Sequence, residues 1–168
     1  MGAFFVDFQK IPEKGLQMAR NTNWIEDSEA LGIAMRLVDK FSELFKGLNL
    51  SKIKFVRELS SNGKKIGELK PCDFPYYIDC PYAYYIIISN TRWKELSKGQ
   101  HNMTIKSLLY SIADGGTDEN SKNYAKTRPY DVQGYTKIIS DAGGNYNWQR
   151  PGMDVPDPLD DNRQEEDK

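Results

Sequence analysis

The chain has 168 residues, 39% hydrophobic and 28% charged, the proportions of a globular domain long enough to bury a core. No run of about 18 apolar residues occurs, which excludes a spanning helix, and the start MGAFFVDFQKIPEKG lacks the regions of a secretory signal. Net charge is −1 but uneven: from Gly152 onward seven acids face two bases, so that end carries −5 and the rest +4.

Residues 1–24 hold Phe4, Phe5, Val6, Phe8 and Ile11, expected as an arm packed on the body; a partner-binding arm is the alternative. Apolar residues from Ala30 to Leu48 recur at helical spacing, predicting a first helix over 25–48, with Asp27 or Ser28 accepting the N-terminal amide hydrogen bond. Lys52 to Leu59 alternates as a strand. Asn62-Gly63 then suits a tight turn into a return strand over 65–69. Pro71, Pro75 and Pro81 punctuate an irregular segment. It carries Cys72 and Cys80, expected as free thiols in a reducing cytosol; a disulfide between them is left to geometry.

Ala83 to Ser89 is a nearly continuous apolar run, the pattern of a central strand. A helical turn over 91–96 and a second helix over 104–113 follow, the latter burying Ile105, Leu108, Leu109 and Ile112. Residues 117–127 read as a polar loop. Pro129 suits the first turn of a third helix over 130–142, with Gly143 as its stop. Beyond it, Tyr146 and Trp148 are expected to dock, and residues 149–168 to form an acidic, disordered tail.

The stretch YYIIISNTRWKELSKGQ followed by IKSLLYS resembles the phage metallopeptidase domain, in which such a strand leads through a tryptophan-containing turn to an HELxH helix. RPYDVQGYTKIISDAGGNYNW resembles that family's RPHDVQEF segment, and IKFVREL and GKKIGEL resemble its early strands. The resemblance covers roughly residues 26–148. It implies a small zincin-like α+β domain: an N-terminal helix and a mixed three- to four-stranded sheet packed on two further helices. It also implies a phage or prophage gene acting in bacterial cytoplasm.

Carried over by position, the metal chemistry is missing. A zinc helix needs two imidazoles one turn apart and a glutamate beside the first. The first histidine falls on Ser111, the glutamate on Ile112, the second histidine on Gly115 and the downstream ligand on Tyr130; Asp131 keeps the family's residue type. These five residues mark a vestigial cleft. No cofactor is expected, and the reading leans away from an enzyme.

Three functions therefore compete. The first is a non-catalytic binding protein with a host or phage protein partner, for example an antagonist of a host defence protein such as an anti-CRISPR; Tyr76, Tyr77, Tyr82, Tyr146 and Trp148 are its candidate contacts. The second is a hydrolase with altered ligands, Asp114 and Asp131 with a cysteine. The third is a nucleic-acid-binding module using Lys52, Lys54, Lys64 and Lys65 around the early hairpin, where charged edge strands that resist aggregation are the simpler account. The single histidine, His101, is expected in a loop before the second helix without a catalytic partner. Asp114, Asp118 and Glu119 lack the spacing of a calcium loop.

Overall fold

Asp27 decides where the first helix begins. Its side chain accepts the Ala30 amide at 3.0 Å, capping α1 (Ser28–Lys40). Ile25 and Glu26 leave the expected helix and, with Trp24 of the expected arm, form β1 (Trp24–Glu26), an edge strand antiparallel to β2 (Ile53–Glu58) with Ile25 opposite Arg57. Beyond Lys40 the helical pattern continues only as turns, Phe41 N–H bonding Leu37 O at 2.9 Å and Phe45 N–H bonding Phe41 O at 3.1 Å. The computed structural model describes residues 23–60, 65–72, 80–128, 132–144 and 147–161.

The strand order corrects the expected hairpin. Among the described residues the sheet is β1-β2-β4-β3, with β3 at Gly67–Pro71 and β4 at Tyr84–Ser89. β4 lies between β2 and β3, parallel to the first (Phe55 opposite Ile86) and antiparallel to the second (Leu69 opposite Ile86). β2 and β3 therefore do not pair, and Asn62-Gly63 lies outside the described residues. The reason is burial. β4 is the strand apolar on both faces, and the sheet interior selects it, while β2 and β3 carry alternating charge suited to its flanks.

Residues paired across a sheet share a face, which puts Ile53, Phe55, Tyr84, Ile86 and Ile88 together. Against them pack Ala30, Ile33, Ala34 and Leu37 of α1 and Ile105 and Leu109 of α3 (Lys98–Tyr110). Each large aliphatic side chain buried here contributes about 1.5–3 kcal/mol. Between β4 and α3 lies the short α2 (Asn90–Trp93), which buries Trp93.

α3 starts six residues earlier than its apolar pattern suggests. Ser97 and Gln100 form a reciprocal capping box, so the first turn is fixed by polar side chains. His101 consequently lies in that turn, not in a loop. The last helix, α4 (Val132–Asp141), buries Ile138, and Ala142 beyond it, in a second, smaller cluster with Met103, Trp148 and Val155.

Residues 149–161, expected as part of a disordered tail, lie along α3. Gly99 makes the approach possible, because a Cβ there would run into the Val155 carbonyl oxygen. Gln100 donates to the carbonyls of Trp148 and Arg150, both at 2.7 Å. Asn102 donates to Asp157 at 2.6 Å, and Lys98 pairs with the same carboxylate at 3.3 Å. Residues 162–168 and the arm up to residue 22 lie outside the described residues.

Candidate functional site

The place to look for chemistry is the exit of α3, where the metal-binding motif would sit. Tyr110 is its last helical residue and Ser111 its cap, with the Ser111 hydroxyl donating to Ser107 O at 2.9 Å. The chain then turns away to meet the returning loop: Arg128 N–H bonds Ser111 O at 2.7 Å, Ala113 N–H bonds Lys126 O at 3.1 Å, and Ile112 bridges Thr127. Ile112 is buried in the main core. Gly115 has φ +75°, and a Cβ on it would come within 2.6 Å of Ser121 Oγ. Positions 111 and 115 are thus not one helical turn apart on a common face, and a histidine at 115 would be strained. Tyr130 and Asp131 lie outside the described residues.

The space left there is small. A cavity of about 20 Å³ is lined by Phe45, Leu109, Ile112, Gly115 and Arg128 among others, room for about one water molecule. Arg128 closes its rim, pairing with Asp114 at 2.9 Å and lying 4.4 Å from the Tyr110 ring centroid. Below it, the Tyr84 hydroxyl donates to Lys126 O at 2.5 Å. Burial, with Tyr124 nearby, pushes that phenol far up, so it stays a donor at any neutral pH. These groups staple the exit loop to β4. None places a base beside a nucleophile.

A zinc ion does not fit this set. Serine capping a helix, a core isoleucine and a left-handed glycine offer neither imidazole nor carboxylate. Among the described residues no three His, Cys, Asp or Glu side chains converge. The one histidine of the sequence is engaged elsewhere: His101 Nε2–H donates to Trp93 O at 2.8 Å, and its ring stacks on the indole at 3.9 Å and 2°. The opposite indole partner is Arg57, 5.0 Å from the centroid, which also pairs with Asp27 at 2.7 Å and Glu29 at 3.1 Å. Asp118 accepts from the Asn120 amide, and Glu119 pairs with Lys52.

The lysines expected at a nucleic-acid surface are dispersed, since β2 and β3 lie on opposite sides of β4. Lys52 pairs with Glu119, Lys54 with Glu26 and Lys65 with Glu68; Lys64 lies outside the described residues. Each described cation of that set already has a carboxylate, which lowers the local positive potential. Among the candidate contact residues, Tyr76, Tyr77 and Tyr146 lie outside the described residues. Tyr82 is half-buried, packed edge-on to Tyr85 at 6.0 Å with Lys54 5.5 Å from its centroid. Trp148 is buried in the second cluster and is no exposed anchor. Cys72 and Cys80 are not joined in a disulfide.

Polar residues of α3 are the part the sequence reading missed. Gln100 and Asn102 are fully buried, and Lys106 is inside the fold, its ammonium 2.9 Å from Asp141 and 3.7 Å from the Phe41 ring centroid. Burial pulls the Lys106 pKa down and the Asp141 partner partly restores it. One signal was available for the helix start: Ser97 and Gln100 have capping-box spacing.

No helix among the described residues is long and apolar enough to cross a membrane. No curated protein and no solved structure matches the chain. A family model does, over residues 22–155, spanning both the sheet and the α3 exit, and the chain therefore belongs to the Putative phage metallopeptidase family.

Proposed function

We propose that this chain is a non-catalytic binding protein on the phage metallopeptidase frame, with a protein of the bacterial host or of the phage as its partner. The observation that carries this reading is the exit of α3. The helix ends at the first motif position, the second carries a core isoleucine, and the fifth is a left-handed glycine. The sole histidine is held against Trp93. The frame is retained, with its helix caps and central strand, while the groups that would move a proton or hold zinc are replaced. A fold kept without its chemistry serves through its surface, in the cytoplasm of an infected cell, and an antagonist of a host defence protein, an anti-CRISPR included, is the concrete form.

The test is a pair of measurements on the purified, untagged protein. Metal analysis should find no stoichiometric zinc, manganese, iron or nickel, and the fold should survive chelator. Capture from a lysate of a phage-susceptible bacterium should then recover a partner that re-forms a complex from purified components. Near-stoichiometric metal, together with a hydrolytic activity lost in Asp114→Ala, would replace this reading with a hydrolase. A mobility shift of DNA or RNA that fades steeply with salt would replace it with a nucleic-acid-binding role.

A further inference from the structure

We propose that Cys80 is a reactive thiol and Cys72 its resolving partner, the two forming an intramolecular disulfide on exposure to a small disulfide oxidant. The sheet brings them together. Lys70 of β3 lies opposite Tyr85 of β4, and Cys72 N–H bonds Ala83 O at 2.8 Å, continuing that ladder past the end of β3. Residues two apart on a strand share a face, so Cys72 lies on the Tyr85 side of the sheet. Cys80 reaches the same place from the segment that leads into β4, its Sγ 3.3 Å from the Tyr85 hydroxyl. Both cysteines also act on the Tyr85 phenol, Cys80 through its hydrogen bond and Cys72 through its charge when ionised. Cys72 is buried and Cys80 half-buried, so an oxidant meets Cys80 first.

The surroundings favour the Cys80 thiolate. Burial pushes its pKa up, but the hydrogen bonds from Tyr85, Cys72 and the Tyr82 backbone outweigh that and leave it below the ordinary value. The Cys80 bond, with burial, pushes Tyr85 up to about 12, so the phenol remains a donor at neutral pH. Among the described residues, the other titratable groups on this side are Tyr82, Lys54 and Lys70, both lysines paired opposite Tyr85, and, from the 117–127 loop, Tyr124.

With oxidised glutathione the step balances. The Cys80 thiolate attacks one glutathione sulfur, forming a mixed disulfide and releasing one glutathione thiolate. Cys72, losing its proton to solvent, attacks the Cys80 sulfur and expels the second. One disulfide is reduced, one is formed, and two protons leave the protein. The reaction depends on these side chains alone and is independent of the binding role above.

The experiment treats the full chain with oxidised glutathione at mildly alkaline pH and reads intact mass and free thiols. The expected product has lost two hydrogens and both thiols, reversibly with dithiothreitol. Cys72→Ser should stop at the glutathione adduct on Cys80, and Cys80→Ser should leave Cys72 unmodified in the folded protein. Tyr85→Phe should shift the pH profile of the reaction upward, a change that loss of packing alone would not produce. A lasting glutathione adduct on the unsubstituted protein, or two unreacted thiols, would overturn the proposal, and neither needs a variant to fold.

Discussion

The main core takes Leu37, Phe55, Ile86, Ile88 and Ile105 from elements whose own neighbours repeat the same apolar spacing. The smaller cluster takes Met103, Ile138, Ala142, Trp148 and Val155 almost singly from separate segments, and is bound to the body by buried amides and ion pairs. The first is secured by area removed from water and the second depends on a few polar contacts. Burial of apolar surface is non-directional and tolerates repacking, whereas a buried amide fails when one partner goes. The two regions should respond differently to substitution.

The largest effect is expected in the main core. Ile86→Ala should cost about 2–5 kcal/mol, because β4 is paired on both edges and cannot collapse around the cavity. Chemical denaturation would show a lower midpoint for the whole domain. Gln100→Ala should cost about 1–3 kcal/mol, since it orphans the Trp148 and Arg150 carbonyls. Hydrogen exchange should then quicken in residues 147–159 while β4 stays protected; equal loss in both would mean the two clusters open as one unit.

Gly99→Ala is expected to cost about 1–3 kcal/mol through the clash with the Val155 carbonyl, releasing the 153–157 segment to protease before the core.

A pH titration sharpens the contrast further. Asp157 is pushed up by burial, but the hydrogen bonds from Asn102, the Leu159 amide and Lys98 outweigh this and hold it below its ordinary 3.8. Its folded pKa is thus below its unfolded one. Its contribution is complete above that ordinary value and is lost as pH falls through the lower, folded one. Asp157→Asn should flatten this acid limb of the stability curve, and an unchanged limb would show that the carboxylate contributes nothing. Smallest of all, Lys54→Ala should change stability by about 0–1 kcal/mol, because its ion pair with Glu26 is solvent-exposed.

How much of this was legible follows the same division. The apolar periodicity of 30–48 located α1, although the helix itself runs only over Ser28–Lys40, and the apolar run from Ala83 to Ser89 located the central strand. The start of α3 was misplaced because its first turn buries Gln100 and Asn102 instead of aliphatic side chains, leaving no apolar stripe to read. The Asn-Gly hairpin failed because a local turn preference says nothing about which strand needs the interior.

At the α3 exit, residue identities alone leave Ser111, Ile112 and Gly115 without an imidazole or a carboxylate to offer a metal. The sequence by itself also determined family membership and the apolar faces, which depend on residue type and short-range spacing. Tertiary structure alone decided that β4 separates β2 from β3, that the described residues at the α3 exit leave a cavity of about 20 Å³, and that Cys72 and Cys80 lie on the Tyr85 side of the sheet. Those outcomes depend on contacts between residues distant in the chain, whose partners are chosen by competition for burial and hydrogen bonds across the whole domain.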